Sequence, residues 1–93
     1  MVIGTCKIYL YLNGNRSLKE KRKTLKRILD RSKNSFNVSI AEVGDNDLWQ
    51  RATLGVAMVS NDVKYVNSTL NKLVNFIDHM HLAEIIDYQL EIY

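Results

Sequence analysis

Residues 38–58 read VSIAEVGDNDLWQRATLGVAM, and this stretch decides the fold. Val38-Ser39-Ile40-Ala41-Glu42-Val43 reads as a strand, Gly44-Asp45-Asn46-Asp47 is turn chemistry, and Ala52, Leu54, Val56 and Met58 alternate with their neighbours. Apolar residues at every second position place one face of an extended chain against a core. Two such runs joined by a turn pair as an antiparallel hairpin.

A helical pattern flanks the hairpin on each side. Upstream, Ser17-Leu18-Lys19-Glu20 is a capping box, with Ser17 as N-cap and Glu20 reaching back to it. Leu18, Leu25, Ile28, Leu29 and Phe36 then fall on one side at helical spacing, and Asn34 and Asn37 are stop signals. Downstream, Ser60-Asn61-Asp62 offers N-caps for a second helix with the stripe Val63, Val66, Leu70, Leu73, Val74, Ile77 and Met80. Beyond the helices, residues 2–12 alternate, with Val2, Cys6, Ile8, Leu10 and Leu12 on one face and Ile3, Thr5, Lys7, Tyr9 and Tyr11 on the other. Ile86, Tyr88, Leu90 and Ile92 alternate in a last strand.

The order β-α-β-β-α-β predicts an α+β, ferredoxin-like sandwich. Its antiparallel sheet has strand order 4-1-3-2, and right-handed crossovers put both helices on one face. Residues 1–93 form a single domain, with no linker, repeat or proline.

Composition narrows the class. A chain that is 46% hydrophobic and 25% charged can fold around a core. A lone cysteine, Cys6, forms no internal disulfide, and a reducing, cytoplasmic setting is the expectation. No apolar stretch approaches the ~20 residues that span a bilayer. The start Met1-Val2-Ile3-Gly4 lacks signal-peptide character.

The net charge of +3 is unevenly spread. Residues 16–33 hold nine bases and two acids, a net +7, against a net −4 for the rest. Turning ~100° per residue, Lys19, Lys26 and Lys33 form one line opposite the apolar stripe. Arg22 borders that line on one side and Lys23, Arg27 and Arg31 on the other. Such a face is either simply solvated or suited to a polyanion, and phosphate-backbone contact is the functional expectation for these seven residues.

Other motifs carry less. Cys6 lies on an apolar face, without the electropositive setting and base of a catalytic thiol. His79 and His81 lack a third ligand, and His79 suits a helix C-terminus. Asp45-Asn46-Asp47 starts like a calcium loop, but Gln50 stands where glycine is required and Val56 where glutamate is. No nucleotide-binding glycine motif is present, so no cofactor or metal is expected. The turn Asn13-Gly14-Asn15-Arg16 does not match the glycine-rich arginine cradle with which acylphosphatases act on a similar fold. The outer sheet face carries Tyr9 and Tyr11, yet the third strand adds no aromatic for RRM-style stacking. Ile3, Tyr9, Tyr11, Ala57, Val59 and Tyr93 make that face partly apolar, suited to a second subunit.

Two charges are out of place. Lys21 falls among Leu18, Leu25 and Ile28, and Glu42 shares the inward parity of Val38 and Ile40. In this topology the first helix starts over the end of the second strand, so Lys21 and Glu42 are expected to pair. Trp49 and Arg51 on the neighbouring hairpin complete the cluster, with Trp49 read as a hydrophobic plug beneath the hairpin in preference to a stacking surface for an unpaired base.

Ser17-Leu18-Lys19-Glu20-Lys21-Arg22, Phe36-Asn37-Val38-Ser39, Ala41-Glu42-Val43, Asp47-Leu48-Trp49-Gln50-Arg51-Ala52 and Val59-Ser60-Asn61-Asp62 resemble the YlxP-like family of small bacterial proteins of unknown function. The similarity covers nearly the whole chain. Asn13 stands where many members have proline. The resemblance implies a bacterial origin and a ferredoxin-like fold. Through the placement of the family's genes near a ribosome-binding factor, it also implies a ribosome or RNA role by association. It supplies no catalytic residues. The expectation is a non-enzymatic accessory protein touching ribosomal or other structured RNA through the first helix. The alternative is a homodimeric regulatory or protein-interaction domain using the open sheet face.

Overall fold

A computed structural model describes residues 1–93. The elements are β1 (Val2–Tyr11), α1 (Leu18–Ser35), β2 (Ser39–Gly44), β3 (Arg51–Ser60), α2 (Val63–His79) and β4 (Glu84–Ile92). The sheet is antiparallel throughout, in the order β2-β3-β1-β4. This is the ferredoxin-like arrangement expected from the sequence.

The alternating residues of β1 explain its central place. Cys6, Ile8 and Leu10 are buried, and they sit opposite Val56, Leu54 and Ala52 of β3. Leu25 and Ile28 of α1 and Val66, Leu70, Leu73, Val74 and Ile77 of α2 close over them in one core, so both helices cover the same face. Gly4 sets how closely α2 can approach β1. A Cβ there would lie 2.2 Å from Val66 Cγ1 and 2.9 Å from Leu70 Cδ1. Phe36 and Phe76 pack edge to face, with centroids 5.3 Å apart, between the end of α1 and α2.

The caps follow the sequence with one shift. Ser17 Oγ accepts from Glu20 N at 3.1 Å, as an N-cap does. The Glu20 carboxylate accepts from Arg16 N at 2.7 Å rather than from Ser17 N, so the box closes one residue early. Gly14, with φ of 85°, provides the left-handed turn that lets the chain enter α1. Asp62 caps α2 by accepting from Lys64 N at 2.9 Å. His79 donates from Nδ1 back to the Asn75 carbonyl at 2.7 Å in the last turn of α2.

The last strand departs from simple alternation. β4 begins at Glu84, and a bulge opposite Tyr9 and Leu10 pairs Leu10 with Ile85 and Tyr9 with Asp87. Ile86 is the extra residue. A one-residue slip reverses which side chains face inward. Ile85 therefore packs on the core in place of Ile86, which is exposed, while Tyr88 keeps its position opposite the buried Ile8 and is 43% exposed on the edge strand.

Candidate nucleic-acid interface

α1 buries four residues in a line: Lys21, Leu25, Ile28 and Ser32. Ser32 is accommodated because its hydroxyl donates to the Ile28 carbonyl at 2.7 Å. The opposite side holds Lys19, Arg22, Lys23, Lys26, Arg27, Arg31 and Lys33, and all seven are exposed. From Lys19 to Lys33 this track runs about 21 Å at ~1.5 Å per residue. Lys26 alone among them has an ion-pair partner, Asp30 at 2.9 Å, one turn on. The Asp30 hydrogen bond and charge raise the Lys26 pKa above its ordinary value. Arg22, Lys26 and Lys33 also line a shallow groove of about 230 Å³ with Leu25, Leu29, Asp30 and Glu42.

Beneath the start of this track lies the second site. Lys21 Nζ is 2.8 Å from Glu42 Oε2 and donates to the Asp45 carbonyl at 2.6 Å. Glu42 faces inward opposite Leu54, and the sheet bulges between Glu42 and Gly44, with Val43 as the extra residue. The bulge thus turns the chain after Glu42 while leaving its carboxylate under α1. Glu42 Oε2 accepts no aligned hydrogen bond, so its compensation is the direct Coulomb contact with Lys21.

The β2–β3 loop is tied down at both ends. Asp45, with φ of 60°, presents its carbonyl to Lys21 Nζ and to Leu48 N, the latter at 3.0 Å. Its carboxylate accepts from Thr53 Oγ1 at 3.3 Å. At the far end, Gln50 O accepts from Leu12 N at 2.8 Å, and Gln50 Nε2 donates to Asn15 O at 3.2 Å. The loop therefore abuts the β1–α1 turn, one residue before Arg16.

The four-residue cluster expected here divides. Lys21 and Glu42 meet, but Trp49 and Arg51 form no hydrogen bond or ion pair with them. Trp49 is not a plug; it is 53% exposed, beside an exposed Leu48. Leu12 and Lys21, both buried, instead hold the loop's two ends through Gln50 O and the Asp45 carbonyl. Sequence reasoning also passed over Asn15, Asp45 and Gln50. Their contacts here run largely through backbone atoms, which no pattern of residue types reveals. Cys6 is buried, and its thiol is pushed up to about 11 by desolvation, which disfavours the reactive thiolate.

Fold and site together define the class: a small ferredoxin-like α+β protein carrying an unbalanced basic helix over a buried ion pair. The family model described as "Protein of unknown function (DUF503)" matches residues 3–90, and the chain belongs to that family. It is 48% identical over 73 residues to "Uncharacterized protein YlxP" of Bacillus subtilis (strain 168), covering 78% of this chain and 77% of that protein. Among solved structures it is similar to a putative chlorite dismutase (TM-score 0.55, 15% identity), covering 100% of this chain but only 44% of that one. It is also similar to the protein YJCS (TM-score 0.54, 11% identity, 96% of each chain). A de novo designed protein, Foldit4, matches with TM-score 0.52 and 14% identity over 99% of this chain and 94% of its own. At such identities these structures speak to the fold alone.

Proposed function

We propose that this protein is a cytoplasmic, non-enzymatic accessory factor that holds structured RNA, ribosomal RNA above all, by its phosphate backbone along α1. One observation carries the reading: seven exposed bases on one helix face, of which a single one is paired with an acid. Lysine and arginine on a solvated face gain by neutralising phosphates because bound counterions are released. A helix-long track suits a regular array of phosphates better than a small anion does. The family resemblance favours RNA as the polyanion. The test is co-sedimentation with ribosomal subunits and their assembly precursors at two salt concentrations. Binding that fades as salt rises supports the reading, and no binding at low salt refutes it.

A second reading rests on the open sheet face. A concavity of about 670 Å³ there is lined by Thr5, Lys7, Val43, Gly55, Ala57 and Tyr93 among others. Val43, Val59 and Tyr93 are more than half exposed. A second copy of this chain fits this face, because Lys7 and the acids Asp87 and Glu91 occupy neighbouring positions of β1 and β4. Across a two-fold axis, each subunit's base can meet the other's acids. Strands ~4.8 Å apart and ~3.3 Å per residue give the face roughly 600 Å², near the ~800 Å² per partner of a standard interface.

A further inference from the structure

We propose that the β2–β3 loop is a stacking platform for an unpaired base of the RNA whose phosphates α1 holds, with Trp49 as the platform. This inference rests on the RNA reading above and names the kind of RNA: a paired stem bearing an adjacent unpaired nucleotide.

Trp49 is the chain's sole tryptophan and leaves more than half its surface in water. The loop that carries it is not loose. Asp45 is bonded to Lys21, Leu48 and Thr53, and Gln50 to Leu12 and Asn15. A large flat ring held in the open by a tethered loop loses little freedom when a base stacks on it. Residues 47–51 line a wide, shallow concavity of about 510 Å³, open enough for a base to lie on the ring.

The flat indole and the bases near it point to the occupant. Arg51 is exposed at one side of this concavity, and the bond from Gln50 to Asn15 sets the loop beside Arg16 and the first turn of α1. The end of the loop thus lies against the turn that leads into α1. Asp47 is the acid that lines the concavity, while Glu20 and Asp45 nearby accept from Arg16 N and Thr53 Oγ1 and keep their charge. An exposed indole with Arg51 beside it, and Arg16 next to the Asn15 that Gln50 holds, suits a nucleotide, whose base is flat and whose phosphate is anionic.

Because Trp49 is unique, its emission reports this ring alone. The probes are a blunt RNA hairpin and the same hairpin with a short single-stranded purine extension, titrated at low salt. The extended hairpin is expected to quench Trp49, and the blunt one to leave it nearly unchanged. Trp49→Ala should weaken the extended hairpin by about 5- to 150-fold and leave the blunt one unaffected. Trp49→Phe should retain most of the difference. If both hairpins bind Trp49→Ala as they bind the wild type, while lysine-to-glutamine changes on α1 weaken both, the stacking site is refuted and the helix reading stands. If neither hairpin binds the wild type, both fall. An emission shift that follows protein concentration and ignores RNA would assign the ring to a contact between copies and overturn the proposal.

Discussion

Lys21 Nζ and Glu42 Oε2 lie 2.8 Å apart, with the lysine side chain 1% exposed and the glutamate 19%. The pair joins the first turn of α1 to the end of β2, and a second bond from Lys21 to the Asp45 carbonyl carries the link into the β2–β3 loop. It therefore ties α1, β2 and the start of the loop that carries Trp49 together.

Removing one partner should cost more than removing both. Glu42→Leu leaves a buried ammonium unpaired, and a loss of about 3 kcal/mol is expected. Lys21→Met with Glu42→Leu should be more stable than the sum of the single changes implies. Urea unfolding of the four proteins measures the coupling. Strict additivity would show that the pair contributes nothing as a pair.

Replacing Lys19, Lys23 and Lys26 with glutamine should weaken RNA binding across unrelated sequences alike, because backbone contacts carry no base information. Each lysine that engages a duplex phosphate contributes ~0.9 to the magnitude of the log–log salt slope. Lys26, already paired with Asp30, should contribute least. These side chains are exposed, so circular dichroism and the melting temperature should stay near wild type. An unchanged salt slope would remove α1 as the site.

Gly4→Ala tests the fit of α2 against β1. The new Cβ would meet Val66 and Leu70 side chains in a filled core. Overpacking of this kind costs about 1–3 kcal/mol, read as a lower melting temperature. A variant as stable as the wild type would mean that α2 shifts freely on the sheet.

Cys6 makes stability pH-dependent at the alkaline end. Burial raises its pKa from 9.0 to about 11 in the folded chain. Above pH 9.0 the unfolded chain loses this proton while the folded chain keeps it, so stability falls as pH rises towards about 11. Below that window the contribution is fully present. Denaturant midpoints against pH should decline less steeply for Cys6→Ala than for the wild type. Parallel curves would refute the assignment.

Self-association through the open face predicts a dimer mass by light scattering as concentration rises. Val59→Asp, at a position 64% exposed, should return the monomer without loss of fold. A monomer mass for the wild type at high concentration would refute the second reading.

Much of this architecture is written in residue order. The period of two in residues 2–12 and the hairpin at 38–58, with a helical stripe on each side, leave few topologies open. Even the ion pair was legible, because a lysine on an apolar helical stripe and a glutamate of inward strand parity break strong local patterns. The basic track was legible for the same reason, since helix geometry alone places Lys19, Lys26 and Lys33 in line.

The remaining features depend on how distant segments meet. Ile85 replaces Ile86 in the core because of a bulge against β1, and pairing register is a property of two strands together. Trp49 is exposed on a loop whose ends are fixed by Leu12 and the buried Lys21. Lys21's second partner and the anchors of Gln50 are backbone oxygens and an amide, and every residue type carries these alike. Periodicity therefore determined the elements, the face each presents and the charge it carries. Tertiary packing alone decided which side chain filled each space, because volume is contested between segments far apart in the chain.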